Sequence, residues 1–142
     1  IIDIEDDTIV WIIAVRTKSH DKNGPARYRT VFAITDNSIP VEHKAFNVKT
    51  TRKKSFPIFG KVVGVEWKSS SAAIKPLIDA LSQDKHIEDL VTEEGDITIW
   101  THPNVFQGWT IEIATTWNIF YPSAASWRVI HRIAQILLES PR

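Results

Sequence analysis

The chain has neither cysteine nor methionine among its 142 residues. Without cysteine there is no disulfide framework, no thiolate metal ligand and no cysteine nucleophile. That composition fits a reducing compartment, and a cytoplasmic location is the expectation. Glycine is sparse. Gly24, Gly60, Gly64, Gly95 and Gly108 are too dispersed to build a phosphate-cradling loop. No Gly-x-Ser-x-Gly run marks a serine nucleophile. No apolar run nears the roughly 20 residues that span a bilayer, so no membrane partner is expected, and no signal-peptide pattern is present. Net charge is also missing: 17 Lys and Arg balance 17 Asp and Glu. This argues against a dedicated nucleic-acid binder, which carries a basic excess. His20, His43, His86, His102 and His131 avoid the close strand and helix spacings that suit a metal, and no metal or cofactor is expected.

What is present is core-forming material. The apolar fraction is 43%, with six tryptophans, enough for one packed domain over residues 1–142. A chain that opens at Ile1 with no methionine reads as a fragment lacking its native N-terminus. Its charge is uneven: residues 1–68 hold 12 Lys and Arg against 8 Asp and Glu, and residues 69–142 hold 5 against 9. An anionic partner would therefore meet the N-terminal half.

Period-two patterns dominate that half. Thr8–Thr17 places Ile9, Trp11, Ile13 and Val15 on one face and Val10, Ile12 and Ala14 on the other, which predicts a central strand. The turn His20–Pro25 leads to a partner strand, Arg27–Thr35, with Tyr28, Thr30, Phe32 and Ile34 on one face. Val41–Val48 predicts a weaker strand, Lys49–Ser55 a basic loop, Phe56–Gly60 an apolar connector, and Lys61–Lys68 another strand. A serine-capped helix follows, its regular part starting near Lys75 because Pro76 belongs in a first turn. His86–Glu93 predicts a short helical turn. Ile97–Thr101 and Gly108–Trp117 predict a hairpin, and a last helix runs from Pro122-Ser123 to about Glu139. Its buried stripe is Trp127, Ile130, Ile133, Ala134 and Leu137, with Arg128, His131, Arg132 and Gln135 towards water. The expected class is α+β: an antiparallel sheet, as a meander of three to four strands plus a later hairpin, with two main helices on one face.

Three groups of residues could carry chemistry. In Lys61–Lys68, Glu66 and Lys68 share one strand face and Val63, Val65 and Trp67 the other. A strand ending in Glu66-x-Lys68, then serines, then a helix containing Ile78-Asp79-Ala80-Leu81 resembles the second half of the PD-(D/E)XK nuclease core. The resemblance covers Val62–Leu81. It implies that Glu66 and Lys68 hold Mg²⁺ and position water for phosphodiester cleavage, with an aspartate from the neighbouring strand. Asp36 is the nearest upstream acid, in a turn-like Asp36-Asn37-Ser38, and the helix that normally precedes the core is absent. The bland reading of Glu66 and Lys68 is an exposed ion pair.

The second group is Lys49, Arg52, Lys53 and Lys54, followed by Phe56 and Phe59. Cations and aromatics in that order suit a phosphate backbone with stacked bases, or else a solvated loop and two core rings. The third is the tryptophans, which mostly share faces with Ile and Val and so serve a core. Trp100 and Trp117 are the exceptions expected to contact a partner. With no assembled catalytic set, the expected function is a non-enzymatic interaction domain that binds a protein or its own copy through a sheet face or edge. The alternatives are a metal-dependent nuclease-like domain and an anion- or nucleic-acid-binding module.

Overall fold

The computed structural model describes residues 2–3, 6, 8–17, 24–40, 44–55, 60–103 and 106–140. Its strands are β1 (Ile2–Asp3), β2 (Ile9–Thr17), β3 (Arg27–Thr35), β4 (Asn47–Lys54), β5 (Val62–Ser69), β6 (Ile97–His102) and β7 (Gly108–Thr116). They form one sheet in the order β1-β2-β3-β7-β6-β4-β5, and every neighbouring pair is antiparallel. With the three α-helices of the described residues this is an α+β fold. The chain does not pair its strands as a simple meander, because the β6–β7 hairpin enters between β3 and β4. Burial explains the insertion. Ile97, Ile99, Ile111 and Ile113 are fully buried, and central strands have both backbone edges paired and out of water. β4 carries lysines and an arginine and lies further out.

The position of β4 corrects two expectations. The basic segment Lys49–Ser55 is a strand as far as Lys54, and residues 44–46 are irregular. Of the weak strand predicted over 41–48, Asn47 and Val48 open β4, while 41–43, together with most of the turn at 20–25 and of the connector at 56–60, lie outside the described residues. Val48 and Thr50 are buried at alternate positions, so β4 has a period-two inner face that its charges obscure.

Every strand residue of the main hydrophobic cluster lies on one face of the sheet. Thr30, Phe32 and Ile34 stand opposite Ile113, Ile111 and Trp109. Ile111 and Ile113 stand opposite Ile99 and Ile97, and Ile99 opposite Val48. Buried residues of all three helices belong to the same cluster. A register shift between Ile9 and Trp11 sets Ile9 against Ile34 and Ile12 against Phe32, so a bulge brings Ile9 to the core face. Trp11, Ile13 and Val15 therefore face the other way without Ile9. β2 was expected to be central. It lies next to the end of the sheet, and among the described residues β1 pairs with its outer edge at Trp11 and Ile12.

Helix α1 (Lys75–Ser82) follows a single 3-10 turn whose cap, Ser71, accepts from Ala73 N–H. It buries Leu77 and Leu81. The short turn expected at His86–Glu93 is a full helix, α2 (Lys85–Glu93), because Asp84 caps it by accepting from His86 and Ile87 N–H at 3.0 and 3.3 Å. The other carboxylate oxygen accepts from Arg132 on α3 (Ala124–Glu139), at 2.9 Å from Nε. Arg132 and His131 are thus not a free solvent flank: His131 Nε2 lies 2.9 Å from Asp6 Oδ2. Ser123 caps α3, and Ile130, Ile133, Ala134 and Leu137 are buried as the periodicity predicts.

Partial burial works to raise the pKa of Asp84. The Arg132 guanidinium and the Ile87 and His86 amides outweigh it, and the carboxyl sits below its usual 3.8. Because the folded pKa is depressed, the stabilisation is fully present above the unfolded value and is lost as pH falls through the lower folded one. Asp84→Ala is expected to cost about 1–2 kcal/mol at neutral pH. Urea midpoints measured against pH should also show a weaker acid dependence below pH 3.8 in the variant; an unchanged midpoint at neutral pH contradicts the cap.

Candidate functional site: the uncovered sheet face

The face away from the helices is built by the alternate residues of six strands. The register aligns Trp11, Ala33, Thr110, Trp100 and Asn47 in one row. The next row is Ile13, Val31, Glu112, Thr98, Lys49 and Lys68. Beyond it Val15 faces Arg29, and Thr51 faces Glu66. Among the described residues no helix packs on this face, and no residue of the main hydrophobic cluster belongs to it. The face is graded: apolar at Trp11, Ile13, Val15, Val31 and Ala33, with Arg29 of β3 paired to Glu112 of β7 at 3.7 Å, and charged at Lys49, Lys53, Glu66 and Lys68 on β4 and β5.

At one rim the aromatics close over their neighbours. The Trp11 and Phe106 rings are 5.7 Å apart, and Phe106 stacks on His102 at 5.3 Å. His102 Nε2 is 2.7 Å from Thr110 Oγ1. Burial pushes the His102 pKa below its usual 6.5, so the ring is neutral at physiological pH and makes a neutral hydrogen bond to the threonine. Ala33 and Thr110 in the adjacent row are buried. Trp100 stays 38% exposed in the middle of the face.

The four expected basic residues do not form one cluster. Lys49 and Lys53 alternate onto the open face, Lys49 opposite Lys68 and two residues along β4 from Asn47, the partner of Trp100, and Lys53 four residues further on, opposite Gly64. Arg52 points to the opposite side, with Nε 3.9 Å from Asp96 Oδ2, and Asp96 also accepts from Thr50 at 3.0 Å. Lys54 lies past a register shift at the strand end. Trp117 is 67% exposed but lies just past β7, at the opposite end from Thr110, which faces Trp100. The two tryptophans do not share a surface. Arg27, Tyr28, Arg29, Arg52 and Asp96 line a cleft of about 310 Å³, at the end of the sheet where β6 stops short of its neighbours.

The metal pair implied by the nuclease resemblance is not assembled. Asp36 is 7% exposed and structural: Oδ2 accepts from Trp109 Nε1–H at 2.9 Å, and Oδ1 accepts from Ser38 N–H and Oγ–H at 3.1 and 2.6 Å. Asp36 follows β3, which lies four strand spacings from Glu66 on β5, on the order of 19 Å. The neighbour of β5 is β4, which bears no acid. The charge beside Glu66 is instead Lys53, at 3.8 Å. Among the described residues no three His, Asp or Glu side chains gather as a metal site, and no helix is long and apolar enough to cross a membrane.

Sequence reasoning missed Trp11, Ile13, Val15, Val31, Arg29, His102 and Phe106 as parts of one surface. The signal was present as alternation, but β2 is apolar on both sides and its bulge is invisible in the pattern. No protein-family model matches the chain, and comparison with curated proteins and with solved structures found no match.

Proposed function

We propose that the chain is a non-enzymatic interaction domain that docks a protein partner on its uncovered sheet face. The observation that carries this reading is the pair of rows running from Trp11 to Trp100 and from Ile13 to Lys68. They join an apolar, aromatic field to a cationic margin on one continuous surface. Such a surface suits a partner that offers an apolar patch edged by carboxylates. Trp100 is the expected anchor, since a half-exposed indole on a rigid strand loses little freedom when it is buried. Lys49 and Lys68 would steer the encounter and set its salt dependence. A cutting role for Glu66, Lys68 and Asp36 is not favoured, given the separation of the two acids.

Affinity capture tests the proposal with two matched baits, the native chain and Trp100→Asp, both verified as folded by circular dichroism. A protein held by the native chain should be lost or bound about thirtyfold more weakly by the variant. Equal retention of every captured protein by both baits would remove this face as the interface.

A second reading has its own support. β4 is a strand, so Lys49 and Lys53 share a face with Lys68 and the exposed Trp100, an arrangement that suits a single-stranded nucleic acid stacked on the indole. Titration with single-stranded oligonucleotides separates the two. Nucleic-acid binding would weaken with salt at a log–log slope of about −0.7 per phosphate neutralised, whereas no binding at low salt leaves the protein partner.

A further inference from the structure

We propose that β5 is a self-pairing edge through which two copies of this chain join their sheets. β5 ends the strand order. Ser70 N–H donates to Asn47 C=O at 3.1 Å, so the backbone groups of Lys68 and Glu66 also point towards β4, and those of Val65, Trp67 and Ser69 point outwards. Among the described residues nothing pairs with that outer edge. From Val65 to Ser69 it carries no proline and no bulge, two of the devices that blunt an edge; its charged residues, Glu66 and Lys68, are of opposite sign and so need not repel a second copy.

Charge selects the register. In an antiparallel two-fold pairing, opposite residues share a face, so the axis must fall at a residue. Centred on Glu66, it sets Glu66 against its own copy. Centred on Lys68, it opposes two lysines. Centred on Val65 or Gly64, it leaves both charges facing uncharged residues. Centred on Trp67, it sets Glu66 of each copy against Lys68 of the other, twice over. The same register places Val65 against Ser69 and Trp67 against itself, the residues whose backbone groups point outwards. Glu66-x-Lys68 is therefore self-complementary across the axis, and Lys53 at 3.8 Å extends each ion pair into the sheet. The axis is perpendicular to the sheet, so the uncovered faces of the two copies merge into one. This inference stands on the edge alone and does not depend on what binds the face.

Sedimentation equilibrium of the native chain and three variants tests it. The native chain should show a concentration-dependent species of twice the chain mass. Glu66→Lys makes every cross-axis contact lysine against lysine, and Lys68→Glu makes every one glutamate against glutamate. Each variant alone should dimerise at least about tenfold more weakly. Mixed one to one, the two restore opposite charges at both contacts and should form a heterodimer of near-native affinity. Trp100→Asp should dimerise like the native chain, which separates this edge from the open face. A native chain that stays monomeric at all concentrations, single variants that dimerise undiminished, or a mixture that does not associate would each overturn the proposal.

Discussion

Asp36→Ala is expected to lower the unfolding free energy by about 3 kcal/mol without touching any binding surface. The carboxylate is buried and holds the indole N–H of Trp109, itself 2% exposed, at 2.9 Å. Its other oxygen fixes Ser38 and so the turn after β3. Removing it strands a donor inside the core and frees Trp109, which meets Phe46 edge-on at 5.7 Å between ring centres. Asp36→Asn retains an acceptor and should cost less. Chemical denaturation followed by tryptophan fluorescence measures both. An Asp36→Ala protein of native stability would contradict the structural role and reopen a chemical one.

Gly108→Ala should be at least as damaging, at about 3 kcal/mol or more. A β-carbon there would lie 2.0 Å from the Ile34 carbonyl oxygen and 2.5 Å from the Phe106 ring. The oxygen belongs to the adjacent β3 backbone and cannot move without opening the β3–β7 ladder, in which Gly108 faces Thr35. Close approach, not a special backbone angle, requires glycine here. Gly64 on β5 provides the control, since a β-carbon there meets nothing within 4 Å. Gly64→Ala should change the urea midpoint by no more than about 0.5 kcal/mol in free-energy terms. Comparable losses in both variants would mean that the β3–β7 contact is not what demands Gly108.

The sequence made the α+β class and most elements legible because their periodicity is strong. α3 begins and buries its stripe as predicted, since Ser123 and the spacing of Ile130, Ile133 and Leu137 are local signals. The order of the strands was not local. Nothing between Thr35 and Asn47 announces that a later hairpin will enter beside β3; that follows from which strands most need both edges buried. β4 was misread because Lys49, Arg52, Lys53 and Lys54 hide the inward alternation of Val48 and Thr50. The same misreading hid the surface. Lys49 and Lys53 share a face with Trp100 and Lys68 only once β4 is a strand, and Arg52 leaves the group for Asp96. Asp36 was singled out for its chemistry, yet its partner Trp109 lies far along the chain, and sequence spacing could not reveal that pairing.

Amide NMR spectra of the native chain, recorded with and without the captured partner, locate the working surface directly. Perturbations should concentrate on Trp11, Ile13, Val31, Thr98, Trp100, Lys49 and Lys68, which share the uncovered face. Leu77, Leu90 and Leu137, beneath the helices, should stay unmoved. Shifts confined to the outer sides of α1, α2 and α3, with the sheet face silent, would contradict the uncovered sheet as the binding surface.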